Sequence, residues 1–433
     1  MSKNQNNKIG FLEATAIGIG GMVGGGIFAV LGLSVELARG AAPLAFFVAG
    51  MVALFTSYSY SRLSVTFPSE GGTVYFFDQA FGSGLLTGSA NVLLWISYII
   101  MLSLYSYAFG SYAASLLPMS LHFYCKHLAI TGSIVLLTAL NFFSVRVIGD
   151  SEEWIVLIKI IILVFFIFAG IGGIEVSRLT QSPWPSPLNL ISGGMIIFLA
   201  YEGFELIANT AHEIRDPDKN LPKAFYTSVI FVIILYVLIA TVTVGTLPIT
   251  TIIHARDYAL AEAARPALGF GGFFLIAVAA MLSTASAINA TIYGAARLSF
   301  IIAKDGELPQ FLEKKVWNRP ISGLLITGGL TIVIANVIDL DNLSLMGSSG
   351  FLLIFAAVNC ANVLLASKTK SRAWISALGA FFCFVALGCL VWYVGKTQPI
   401  QLWFLAALIL IAVMIEGTFK LTARRSLHLV RKK

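Results

Sequence analysis

Three groups of residues stand out for the chemistry they could do. The first is Lys159, alone inside WIVLIKIIILVFFIFAGIGGI, residues 154–174. At the centre of a bilayer helix a lysine costs about 3 kcal/mol even on the lenient insertion scale, and intramembrane charges are kept for a function. The second is GIGGMVGGGIF, residues 18–28, in which six of eleven residues are glycine. Glycine costs a helix interior about 1 kcal/mol relative to alanine, so this run is expected to unwind a helix locally. The third is FLAYEGFELIANTAHE, residues 198–213, which places Glu202 and Glu205 around Gly203 in an otherwise apolar stretch. An irregular segment at 200–203 accommodates both acids better than a continuous helix does.

These groups lie in a chain made for a bilayer. Of its 433 residues, 58% are hydrophobic and 11% charged, whereas soluble domains carry about 25% charged residues. A span needs about 20 apolar residues. The sequence reads as an all-α polytopic membrane protein with twelve transmembrane helices: 11–37, 41–61, 85–116, 128–144, 154–174, 190–211, 224–246, 271–302, 321–338, 343–366, 373–395 and 399–419. The first is too long for the apolar core of a signal peptide and has no cleavage site after it. With the N-terminus placed inside, the inside segments carry 21 of the 28 lysines and arginines, from Lys3 and Lys8 to Arg424, Arg425, Arg431, Lys432 and Lys433. Arg39, Lys126, Arg178, Arg256, Arg265 and Lys396 fall outside, and Lys159 is the one left over. This bias predicts that the N-terminus (1–10) and the basic tail (420–433) are both cytoplasmic, in a cell inner (plasma) membrane. The net charge of +7 is then a topology signal and does not argue for nucleic acid.

Spans one and six each open a group of five, residues 11–174 and 190–366, with residues 373–419 as two further helices. Five is odd, so the second group is inserted upside down relative to the first. Interrupted helices at matching positions of inverted halves point to a transporter's binding site. The half-helix starting near Gly25 turns N–H groups and its positive dipole end into the gap, which suits a carboxylate. Carbonyls ending the opposite half-helices suit an ammonium. Together they suit a zwitterionic amino acid.

GIGGMVGGGIF, FLAYEGFE, HEIRDPDKNLPKAF and NATIYGAARLSFIIAKDGELP (289–309) resemble, in order and spacing, the first-helix, sixth-helix, following-loop and eighth-helix motifs of the amino acid–polyamine–organocation (APC) transporters. The lysine within VLIKIIIL, with ALNFF and KDGELP, is most similar to the archaeal proton-coupled members. The resemblance implies a LeuT-like core, a 5+5 inverted repeat with helices 1 and 6 broken, plus two C-terminal helices. It implies that Lys159 stands where sodium-coupled relatives hold a cation, touching the Gly20 carbonyl and a hydroxyl of the eighth helix, Ser286 first and Ser283 second. The substrate carboxylate would meet N–H groups at Gly24, Gly25, Gly26 and Ile27, with Met22 beside them. The ammonium would meet carbonyls near Leu199, Ala200 and Glu202, and Tyr98 would line the pocket. The Glu202 side chain is expected to contact a neighbouring helix in preference to the pocket. In STASA, Ala285 separates the hydroxyls a sodium site would use.

The function expected is sodium-independent, proton-coupled symport of L-amino acids, broad and neutral, by alternating access. Burial favours the neutral form of an amine by up to about 3–5 pKa units, so one lysine, charged or neutral, would stand in for a transported sodium. The partners are an L-amino acid, a proton and the lipid bilayer, with no nucleic acid, cofactor or metal; the sequence sets no oligomeric state. Alternatives are an amino acid exchanger, a cationic amino acid or polyamine carrier and, in another class, a solute-sensing membrane receptor. The last lacks a sizeable soluble output domain. An enzyme is not expected: His122, His127, His212, His254 and His428 sit in loops or at span ends, away from any nucleophile. Cys360, Cys383 and Cys389 lie in apolar runs and Cys125 near a loop, with no metal-ligand spacing.

Overall fold

Apolar runs broken by Gly, Pro and Asp produce helices almost throughout the described residues. The computed structural model describes residues 8–143, 146–180, 184–313 and 320–422. Lys3, Lys314, Lys315, Arg319 and the basic residues from Arg424 onward, all counted above for orientation, lie outside them. In chain order the helices are α1 Phe11–Met22, α2 Gly26–Ala38, α3 Ala42–Thr66, α4 Thr73–Phe81, α5 Leu85–Ser115, α6 His122–Phe143, α7 Arg146–Ile171, α8 Val176–Thr180, α9 Pro187–Ile196 and α10 Leu206–Asn209. They continue as α11 Pro217–Thr246, α12 Ile249–His254, α13 Ala259–Ala263, α14 Arg265–Lys304, α15 Ile321–Val337, α16 Leu340–Leu364, α17 Ala366–Thr369, α18 Ala373–Thr397 and α19 Leu402–Thr422. Nine stretches of the described residues are helical, long and apolar enough to cross a membrane. Phe11–Met22 and Ile321–Val337 are shorter apolar helices.

Local chemistry sets the boundaries. Gly10 precedes α1 with its N–H held by Glu13 Oε2 at 2.6 Å, satisfying one orphan donor of the first turn. Ser186 and Asp339 cap α9 and α16 by accepting from Asn189 N and Asn342 N, the side-chain capping that short polar residues favour. Proline opens α9 and α11, where a missing N–H costs nothing. Several short helices fall outside the expected spans, and the longest, α4, fills the connection after the second span, burying Thr73, Val74, Phe76 and Phe77. Its nine residues are too short and too mixed to register as a span.

Large apolar side chains such as Phe168, Val337 and Trp403 point outward, toward lipid. Inside, hydroxyls and amides join the helices. Ser59 of α3 donates to Asn359 Oδ1 of α16 at 2.6 Å, Asn359 Nδ2 donates back to Thr56 at 3.0 Å, and Asn362 Nδ2 reaches Ser376 of α18 at 2.8 Å. With lipid outside, such interhelical bonds and close packing do the work that hydrophobic burial does in water.

Candidate functional site

The site is built around two places where a helix stops inside the protein. α1 ends at Met22 and α2 begins at Gly26. In a continuous helix the carbonyls of residues 20–24 would accept from N–H groups four residues on; the break leaves them without those partners. Side chains from three other helices take their place. Lys159 Nζ of α7 donates to Gly20 O at 3.0 Å. Tyr236 Oη of α11 donates to Met22 O at 2.7 Å. Ser283 Oγ of α14 reaches Val23 O at 2.9 Å and Gly24 O at 2.6 Å.

The second break follows α9. A short 3-10 turn spans Phe198–Tyr201, Glu202 is extended, and Gly203 takes φ +118°, a conformation open to glycine and strained for other residues. Ser348 Oγ accepts from Leu199 N at 3.2 Å and donates to Ile196 O at 2.9 Å. Tyr236 Oη also lies 3.3 Å from Ala200 O, so one hydroxyl touches both breaks. The breaks pack directly on each other. A Cβ at Gly21 would lie 2.7 Å from Gly203 O, and one at Gly26 would lie 2.7 Å from Ala200 Cα.

Between these breaks, α5 and α14 lies a cavity of about 700 Å³. Its deep end is formed by Gly20, Gly21, Tyr98, Tyr105, Glu202 and Ser286, and its mouth by Lys8, Glu13, Glu70 and Arg297. Glu70 pairs with Arg297 and stands 3.6 Å from His212 at the mouth. Past α2, away from the mouth, charged side chains pair with one another. Arg256 Nη1 lies 3.0 Å from Asp341 and 3.4 Å from Glu36, and Lys126 pairs with Asp257 at 3.0 Å. Burial by itself would weaken the Arg256 charge, but the Asp341, Asp257 and Glu36 carboxylates hold its pKa above the ordinary value.

The predicted residues fall into three positions. Tyr98, Glu202, Gly20 and Ser286 line the cavity. Met22, Ile27, Leu199 and Ala200 are buried, and they lie with Gly24, Gly25 and Gly26 behind its wall. Tyr105 stacks over Gly25, where a Cβ would meet its ring at 2.2 Å. Lys159, 2% exposed, sits behind Gly20. Ser283 is the hydroxyl on the first-helix carbonyls, while Ser286 faces the cavity. Glu202 does both things weighed for it: it lines the cavity and accepts from Tyr105 Oη at 3.3 Å. Glu205 is 1% exposed, accepting from Tyr98 Oη at 3.1 Å and from Gly203 N at 2.8 Å.

Sequence reasoning missed Tyr105 and Tyr236. The signal was there in principle, since a phenol buried inside a membrane span needs a partner for its O–H.

Apolar helices of bilayer length, two of them interrupted beside a cavity open at one end and with the freed backbone held by side chains of other helices, define the class: a polytopic membrane transporter. Residues 9–415 match the amino acid permease family model. The chain is 35% identical to an uncharacterized protein of Methanocaldococcus jannaschii over 87% of this chain and 88% of that one. It is 31% identical to the inner membrane transport protein YbaT of Escherichia coli, over 82% and 83%. It is 26% identical to the methylthioribose transporter of Bacillus subtilis, over 85% and 83%. The chain belongs to the amino acid permease family, a family of APC transporters and not of enzymes.

Proposed function

We propose that this permease is a sodium-independent, proton-coupled symporter of neutral L-amino acids in a cell's plasma membrane. In this reading twelve spans form a 5+5 inverted repeat plus two helices, with both termini cytoplasmic. With Tyr105 turned off Gly25, the substrate carboxylate would meet the N–H groups of Gly24–Ile27 at the start of α2, and its ammonium the carbonyls of Leu199, Ala200 and Glu202. The observation that carries the reading is the Lys159 ammonium on the Gly20 carbonyl. A cation fixed at the broken helix occupies the place of a coupling ion, and a proton is what a lysine can gain and lose. The resemblance of VLIKIIIL, ALNFF and KDGELP to archaeal proton-coupled members is in keeping with the same coupling.

The cavity mouth carries Lys8 and Arg297, both among the residues assigned to the inside, so this state faces the cytoplasm, with the Arg256 cluster sealing the outside. Glu202 on the cavity wall favours a second reading, a carrier of cationic amino acids. The test is radiolabelled alanine uptake into sodium-free proteoliposomes with and without an inside-alkaline pH gradient. Gradient-driven accumulation supports symport. Uptake only against preloaded amino acid replaces symport with exchange. Competition by arginine or by methylthioribose, the solute for which one relative is named, reassigns the substrate.

A further inference from the structure

We infer that the Tyr105 ring covers the carboxylate position while the site is empty, a built-in competitor that the substrate must displace. The inference rests on the amino acid reading above and on what the ring covers. The first hydrogen bond of α2 runs from Ala29 N to Gly25 O at 2.9 Å, so the N–H groups of the turn before it have no helical partner. Those groups, at the positive end of the helix dipole, are what a carboxylate would bind. A Cβ on Gly25 would run into the Tyr105 ring, and one on Gly24 would lie 3.7 Å from Tyr105 Oη. Tyr105 belongs to the cavity wall, and Gly24, Gly25 and Gly26 lie behind that wall. A carboxylate arriving from the cavity therefore meets the ring before it meets the N–H groups.

The three tyrosines around the breaks are held in different ways. Tyr236 donates to Met22 O at 2.7 Å, and its ring packs on Phe46 and Tyr201 with centroids 5.8 Å and 5.3 Å away. Tyr98 donates to Glu205 at 3.1 Å and packs edge-on against Phe351 at 5.7 Å. Tyr105 donates to Glu202 at 3.3 Å, beyond the roughly 2.5–3.0 Å usual for an O–H···O bond. Among the described residues its ring pairs with no other ring. A phenol kept for structure takes a short bond and an aromatic partner, as Tyr236 does. Tyr105 has a long bond and open cavity beside it. Its helix is continuous through Leu85–Ser115, so rotation about the side-chain bonds alone clears Gly25. That rotation also takes the donor off Glu202, so the arriving carboxylate frees another one on the cavity wall.

Removing a competitor tightens binding, whereas removing a substrate contact weakens it. The test is equilibrium binding of radiolabelled alanine to the purified full chain in sodium-free buffer, for the wild type, Tyr105→Phe and Tyr105→Ala. Tyr105→Ala is expected to lower Kd about tenfold, the factor by which an open form populated at about 10% holds apparent affinity down. Tyr105→Phe keeps the ring and loses the bond to Glu202, so its Kd is expected to fall between the other two. A Kd that rises or stays the same in the variants overturns the inference. A second measurement needs no solute: amide hydrogen exchange over residues 20–30, with α16 as the control. The N–H groups of Gly24, Gly25, Gly26 and Ile27 should exchange several-fold faster in Tyr105→Ala than in the wild type, while α16 is unchanged. Equal rates over that turn, or an acceleration shared by α16, also overturn it. If the turn alone exchanges faster while no form binds alanine, the amino acid reading fails and the covering ring stands.

Discussion

Lys159 has a carbonyl to hold because α1 ends two residues after Gly20. The glycine run therefore does two jobs, releasing acceptors and letting the second break approach. Replacing Lys159 with alanine is expected to abolish accumulation driven by the pH gradient while leaving exchange of preloaded alanine measurable. An unchanged gradient dependence would remove the lysine from coupling. Gly21→Ala drives a methyl against the Gly203 carbonyl, 2.7 Å away. Overpacking against backbone costs about 1–3 kcal/mol, so the purified variant should melt at a lower temperature, and an unshifted melt would mean that the breaks separate easily. Ser283 and Ser286 illustrate a limit of reading by pattern. Three residues apart, they share a helix face, and periodicity cannot say which reaches the first-helix carbonyls and which the cavity.

Among the elements, the first break was legible because six glycines in eleven residues cannot propagate a helix cheaply. The second carries one glycine and two acids, and the irregularity expected at 200–203 runs longer: a 3-10 turn from Phe198, an extended Glu202 and a four-residue α10 take up more than half of the span read as 190–211. Helix α4 escaped because its periodicity is short and its buried face is mixed. The segment from α12 to α13 contributes Arg256, which binds Glu36 at the end of α2 and Asp341 at the start of α16. Loosening this seal should expose the cavity from the far side. In a background free of native cysteines, Arg256→Gln is expected to speed labelling of Ser286→Cys by a membrane-impermeant reagent added outside right-side-out vesicles. Equal rates with and without the substitution would show that the cluster does not hold that end shut.

For the molecule as a whole, the proposed orientation rests on counting lysines and arginines. If the proposed twelve spans and inside N-terminus hold, reporters fused at residues 1 and 433 should both read cytoplasmic; opposite sides would rule out twelve spans. Several features were determined by the sequence alone. Apolar runs of bilayer length make a polytopic helical protein, the excess of lysine and arginine in alternate loops sets its expected orientation, and a lone lysine and a glycine cluster mark the interior positions that are costly without a purpose. These are properties of composition and spacing along one dimension. The tertiary structure alone decided which groups meet. Tyr236 touches Met22 and Ala200, Tyr105 lies across Gly25 and bonds Glu202, and Glu205 accepts from Tyr98. Each of these depends on helices distant in sequence arriving at set angles, and side-chain periodicity reports which face of a helix is buried without naming the residue that buries it.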